Sequence, residues 1–305
     1  MKYIVTGATS FLGQEMILAL AQTGAQVVAV CRDKRKLRVE VATCCTVVEL
    51  LLKDYGQLPD VVDKADVLIH LAWEGTGHDG RDATLVQQEN VAYSLDAMRA
   101  AAKMGCKLFV MAGSQAEYGS TTEPQKEDMV CEPFSEYGKA KLRMWNEGSM
   151  LADELGMKYL HLRIFSLFGE HDHPWTLVMS AVDKMLRNGP MELSPCTQNW
   201  NFLYVKDAAQ QIIRLCNHAL QTETFGPDIY NIASDDTRPL RAFVEEMRVI
   251  TNSHSDLHYG AVIPQQIVSL QPDMTKTRQT VSVLSEYDFK KVIERIIDRN
   301  HDKSI

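Results

Sequence analysis

No stretch of this sequence of 305 residues comes near the about 18 consecutive apolar residues that a membrane-crossing helix needs, so no membrane role is expected. An excess of basic residues is also missing: 40 acids outnumber 32 bases, for a formal charge of −8. That argues against a general nucleic-acid binder, which needs a basic surface. The seven cysteines contain no C-x-x-C pair, and Cys44 and Cys45 are adjacent. Free thiols in a reducing cytoplasm are therefore expected. Met1 to Gly7 reads as a strand entering a glycine turn, with no apolar leader, which fits the same compartment. Internal repeats and low-complexity segments are lacking too. What is present is an ordinary globular composition, 45% hydrophobic and 24% charged, enough for one large domain or two.

The first half alternates β-rich runs with helical stretches. Strands are predicted at 2–6, 26–31, 66–71, 107–111 and 158–163, and helices at 12–22, 85–103 and 135–154. This alternation implies an α/β fold of the Rossmann type, a doubly wound parallel sheet covered on both faces. Beyond Ser166, Pro174, Gly189-Pro190 and Pro195 break the regularity. Helices predicted at 205–220, 240–251 and 287–299 are separated by short strand-like pieces such as 229–232. The expected division is a dinucleotide-binding domain over 1–165 and a smaller mixed α/β substrate domain over 166–305, the chain returning to the first around 203–232.

The first strand runs into Thr6-Gly7-Ala8-Thr9-Ser10-Phe11-Leu12-Gly13 and then a helix. Gly7 can make the tight turn, a small residue at position 10 lets backbone approach a pyrophosphate, and Gly13 lets helix pack on strand. The helix start adds free N–H groups and a positive dipole end. Ser10 replaces the usual middle glycine, and its hydroxyl could bond a phosphate. Gly7, Thr9, Ser10, Phe11, Leu12 and Gly13 are thus the candidate dinucleotide cradle. The second strand ends in Cys31-Arg32-Asp33, with Cys31 where an acid would mark an NAD site. Arg32 suits a 2′-phosphate, because its planar fork binds such oxygens bidentately. NADP is therefore the expected cofactor and NAD the alternative. The five bases in the seven residues 32–38 read otherwise as a solvated loop.

Tyr137 and Lys141 stand four residues apart on a predicted helix and share a face. A nearby cation lowers a phenol's pKa from about 10, and such a tyrosine can exchange a proton at a carbonyl or alcohol oxygen. Tyr287 and Lys291 repeat the spacing, but no strand end or hydroxyl precedes them. Upstream of Tyr137, Leu108-Phe109-Val110-Met111 leads to Ala112-Gly113-Ser114, which puts a hydroxyl at the carboxyl edge where α/β sheets bind ligands.

Thr6–Gly13, His70-Leu71-Ala72, Asn90-Val91, Gly113-Ser114-Gln115-Ala116-Glu117-Tyr118-Gly119, Tyr137-x-x-x-Lys141 and Leu162-Arg163-Ile164-Phe165 follow in an order that resembles the extended short-chain dehydrogenase/reductases. This is the NAD-dependent epimerase/dehydratase family that acts on nucleotide sugars. The resemblance spans nearly the whole chain and fades in the last 60 or so residues. It implies Tyr137 as acid/base, Lys141 on the nicotinamide ribose, and Ser114 on the sugar oxygen under attack. It also implies Leu71, Ala72 and Phe165 beside the cofactor, Gln115, Ser166 and Trp200 beside the substrate, and a structural Asn90. A homodimer through the helices at 85–103 and 135–154 is expected by the same analogy.

Departures from the family narrow the activity. Gln115-Ala116 stands where its dehydratases carry an Asp-Glu pair, so dehydration is not expected. Reduction of a 4-keto-6-deoxy nucleotide sugar is the reading preferred, with C4 epimerisation and a non-catalytic dinucleotide-binding module as alternatives. Trp200 replaces an arginine that in the family helps hold the sugar nucleotide's diphosphate, and it either stacks on a ring or packs the domain. Arg238 or Arg278 could supply the charge. His171-Asp172-His173 lacks a third ligand at useful spacing, so no metal is expected. Trp73-Glu74-Gly75-Thr76 lines the sugar pocket or simply forms a loop.

Overall fold

A computed structural model describes residues 1–77, 80–264, 268–282 and 284–302. The first half runs β1 (Lys2–Thr6), α1 (Phe11–Gln22), β2 (Gln26–Cys31), α2 (Val39–Ala42), β3 (Thr46–Glu49), α3 (Leu58–Val61), β4 (Val67–His70), α4 (Thr84–Lys103), β5 (Leu108–Ser114), α5 (Glu136–Leu155) and β6 (Lys158–Ile164). There follow β7 (Ser166–Phe168), α6 (Leu177–Leu186), β8 (Met191–Leu193), β9 (Asn199–Tyr204), α7 (Val205–Gln221) and β10 (Asp228–Ile232). The chain continues through β11 (Thr237–Pro239), α8 (Leu240–Ile250), β12 (Leu257–Tyr259), α9 (Thr275–Val281) and α10 (Phe289–Asp302).

Seven parallel strands form the main sheet in the order β10-β6-β5-β4-β1-β2-β3. This is a Rossmann-type arrangement whose strand order reverses between β1 and β4, and a crevice opens there beyond the carboxyl ends of the strands. The strands read as near-continuous apolar runs because both faces are covered. Alternation along each strand divides them between two cores. Tyr3, Val5, Val67, Ile69, Leu108 and Val110 enter the core shared with α1 and α7. Ile4, Leu68, Phe109 and Met111 enter the one shared with α4 and α5.

β10 returns the chain to the main sheet beside β6. The rest of the second half adds a sheet β11-β9-β7 and a pair β12-β8. Phe168, Phe202, Phe243 and Phe289 meet between these pieces, with ring centroids 4.8–5.7 Å apart. β3 and the three-residue strands lie outside the sequence expectation. They are too short for a local pattern, and pairing with distant segments makes them. β5 runs three residues beyond the predicted Met111, because Ala112–Ser114 stay in register with Leu162–Ile164.

Among the described residues no helix is long and apolar enough to cross a membrane.

Candidate active site

The site lies at the carboxyl ends of β1, β4 and β5. After β1, Gly7 turns at φ +65°, a region that favours glycine. A Cβ there would sit 2.7 Å from Ala72 N, and one on Gly13 would sit 2.4 Å from Gly7 O. The turn therefore presses backbone to backbone, as a pyrophosphate cradle requires. Ser10 is the N-cap of α1, and its Oγ accepts the Gly13 N–H at 3.0 Å. The rest of the first helical turn presents amide N–H groups and the positive dipole end to the crevice. The hydroxyl therefore serves the helix first, with its own proton still available. These residues fit a dinucleotide.

A buried chain of hydrogen bonds ties β1 to β4 and α4. Thr6 Oγ1 lies 2.9 Å from His70 Nδ1, and His70 Nε2 lies 2.9 Å from Ser94 Oγ. Ser94 spends its one hydroxyl proton on Asn90 O at 2.7 Å, so His70 donates from Nε2 and accepts at Nδ1. Burial, helped by the Lys141 charge, pulls the His70 pKa down to about 3. Asn90 brackets Glu74, accepting its N–H and donating to its C=O, both at 2.9 Å.

The turn Gln115–Glu117 follows β5, capped by Ser114, whose Oγ accepts the Ala116 N–H at 3.2 Å. Beneath it, Glu117 is wholly buried. Its carboxylate accepts from Ser114 N at 2.8 Å, from His161 Nε2 at 2.9 Å and from Arg163 Nε at 2.9 Å. Burial pushes this carboxyl up, but His161, Arg163 and the Ser114 amide outweigh it and hold the pKa at about 2. α5 starts at the N-cap Ser135 and packs hard on this turn. A Cβ at Gly138 would come within 2.4 Å of Ala116 O. That contact puts Tyr137 and Lys141 beside Ser114.

Ser10, Phe11, Leu12, Leu71, Ser114, Gln115, Tyr137, Lys141, Phe165 and Ser166 line one cavity of about 420 Å³. Gly7, Thr9, Gly13 and Ala72 belong to the turn and strand end behind it. Trp73, Thr76, Arg81 and His173 share the cavity wall. Arg81 carries no local signal in the sequence, and His173 stands out there only in the His171-Asp172-His173 run weighed for a metal. Only the fold brings Arg81 to 5.0 Å from the Tyr137 ring centroid.

Three expectations are corrected. The phenol of Tyr137 is pushed above its ordinary range by burial, against the pull of the Ser114 hydroxyl and the Arg81 charge. The helical spacing holds, and the Lys141 ammonium lies 5.7 Å from the Tyr137 ring centroid, but its nearer partners are Ala112 O, to which it donates at 2.6 Å, and the Trp73 ring, 3.5 Å to the centroid. Burial pulls its pKa to about 7, while the Glu117 charge works the other way. Trp200 does not line the cavity. It shares a face of β9 with Phe202, whose ring centroid is 6.2 Å away, and packs against the core. Arg238 is paired with Asp236 and Glu246, and Arg278 with Asp235, so both offered cations are engaged. Among the described residues no group of three or more His, Cys, Asp or Glu could hold a metal ion.

Arg32, at the end of β2, is exposed, with Nη1 3.9 Å from Glu74 Oε1. Lys34 pairs with Glu49, Arg35 with Asp33, and Arg38 turns back to Glu15 on α1.

Strand order, glycine cradle and the Ser114/Tyr137/Lys141 set together define an extended short-chain dehydrogenase/reductase. Residues 3–233 match the NAD dependent epimerase/dehydratase family, and the chain belongs to that family. It is 27% identical to dTDP-6-deoxy-L-talose 4-dehydrogenase (NAD(+)) of Aggregatibacter actinomycetemcomitans, over 81% of this chain and 89% of that one. It is 22% identical to dTDP-4-dehydro-6-deoxyglucose reductase of Escherichia coli, over 82% of this chain and 81% of that one. Its fold matches UDP-glucose 4-epimerase of Thermotoga maritima, solved with UDP-glucose, at a TM-score of 0.88 and 19% identity over the whole of both chains.

Neutral His70 has a consequence for stability. Its pKa is about 3 in the fold against 6.5 for the ordinary imidazole, so the unfolded chain takes up a proton that the folded chain refuses. Stability is lost as pH falls through that window, by up to about 1.4 kcal/mol per unit from this group. In His70→Gln the decline of urea-unfolding free energy between pH 6.5 and 4.5 becomes shallower by that amount. An unchanged slope contradicts the assignment.

Proposed function

We propose that this chain reduces a 4-keto-6-deoxy nucleotide sugar with NADPH, Tyr137 giving the proton to the C4 oxygen. One observation carries the reading: the cavity gathers a phenol, an ammonium and a hydroxyl, with no carboxylate among its described lining residues. Such a set serves proton exchange at a carbonyl oxygen and lacks the acids that dehydration needs. The names of the Aggregatibacter and Escherichia relatives, a 4-dehydrogenase and a 4-dehydro-sugar reductase, support the position of attack.

When bound, a nicotinamide supplies the hydride. Ser114, held by Ala116 N–H and by Glu117 beneath it, directs its O–H to the same oxygen that Tyr137 protonates. Lys141 donates to a ribose hydroxyl, and its positive charge favours the phenolate left on Tyr137. Gly7 to Gly13 hold the pyrophosphate, Leu71, Ala72 and Phe165 flank the cofactor, and Gln115 and Ser166 meet the sugar. Arg32 binds the 2′-phosphate. Work in the cytoplasm, and pairing of two copies through α4 and α5, belong to the same reading. Those helices leave Leu85, Met150 and Leu155 exposed.

A second reading, a C4 epimerase recycling NAD, is favoured by the ion pair of Arg32 with Glu74, which sets a carboxylate near the end of β2. Two variants separate the readings. Tyr137→Phe keeps its dissociation constant for NADPH and loses about 10²–10⁴-fold in turnover. Near-wild-type turnover contradicts the role of Tyr137. Arg32→Ala weakens NADPH binding about tenfold or more and spares NADH. Equal losses for both cofactors, with NAD carried through purification, favour the epimerase.

A further inference from the structure

Trp73 follows β4 on the segment leading to α4, and its indole is held with unusual care for a loop residue. Nε1 donates to Gln87 Oε1 at 2.8 Å. Gln87 is itself buried on α4, and its Nε2 donates to Gly75 O at 3.1 Å and Gly80 O at 2.8 Å. One side-chain amide thus holds the indole and the carbonyls of Gly75 and Gly80 together. The indole lies on the Lys141 ammonium, 3.5 Å from Nζ to ring centroid. It also stands edge to face with Tyr137, centroids 6.3 Å apart at 88°.

An ammonium has three N–H bonds. Here Ala112 O takes one at 2.6 Å and the indole face covers another side, which leaves one for a ligand hydroxyl. We propose that Trp73 is a positioning residue whose indole face keeps the Lys141 side chain charged and aimed within the cavity. This rests on the reading of Lys141 as the group that serves Tyr137 and the ribose. The physical need is plain, because Lys141 is 2% exposed and water cannot solvate its charge. The other groups facing it do not fill that gap alone. Glu117, in the turn after β5, favours the charge from beneath. His70 on β4 is neutral, Tyr137 on the same helix is protonated, and Arg81 over the Tyr137 ring adds like charge. The Tyr137 ring lies 5.7 Å from Nζ, so the negative face of the indole at 3.5 Å is the nearer aromatic partner, and desolvated cation–π contacts are the stronger ones.

The test compares aromatic with aliphatic replacements, reading the ionisation of Lys141 directly. In protein carrying 13C-labelled lysine, Lys141→Met identifies the Lys141 Cε resonance, which is then titrated in wild type, Trp73→Phe and Trp73→Leu. The expected result is a midpoint in Trp73→Phe close to wild type, and one in Trp73→Leu lower by about one unit, a roughly tenfold fall in the ammonium-to-amine ratio at fixed pH. Trp73→Met repeats the comparison should Trp73→Leu fail to fold. A Trp73→Leu midpoint equal to wild type overturns the proposal. So does an equal shift in both variants, which mere packing would give. The expected shift with turnover indifferent to the charge on Lys141 upholds the contact and contradicts the catalytic reading beneath it.

Discussion

Lys141 carries its ammonium into a space where 2% of the residue touches solvent, and a charge persists there only if partners replace water. The surroundings supply them from two stretches of chain, β5 with the turn after it and the loop after β4, set around the α5 frame that carries Lys141. Ala112 O comes from β5, the Glu117 charge from the turn that follows, the indole from the loop after β4, and the helical frame from α5. Each piece is held by contacts of its own. Gly138 lets α5 close on Ala116, and Gln87 pins Trp73. These contacts set the part of the cavity wall that surrounds Lys141.

A second set of buried charges holds the floor in place. Glu117, His161 and Arg163 lie almost wholly out of water beneath Ser114. An ion pair of this kind adds little net stability over an apolar core, yet removing one partner costs about 3–5 kcal/mol. Its value here is positional. The carboxylate that neutralises Arg163 also fixes the Ser114 amide, so fold and site share one set of hydrogen bonds.

Much of this was legible in the sequence, because the informative features are local. β1, the glycine turn and α1 are contiguous, and so are β5, Ser114 and the turn after it. The two-sided burial of a parallel sheet writes itself as apolar runs at β1, β4 and β5. Less legible were features made by distant contacts. β7, β8, β11 and β12 are three residues each, and pairing partners rather than periodicity define them. The spacing of Tyr137 and Lys141 gave a shared face but not the direction of the ammonium, which the indole and Ala112 decide. Trp200 left both roles open in sequence, and the aromatic face of β9 claims it. Arg81 reaches Tyr137 from a loop with no pattern of its own.

The central claim is that this cavity delivers reducing equivalents to C4 of a sugar rather than recycling them. The most direct measurement supplies NADPH deuterated at the transferring position together with a 4-keto-6-deoxy nucleotide sugar, then reads the product by mass spectrometry and NMR. The account predicts one deuterium per product molecule, located at C4, with stoichiometric oxidation of the cofactor. A product free of deuterium, or interconversion of C4 epimers with no cofactor consumed, contradicts it.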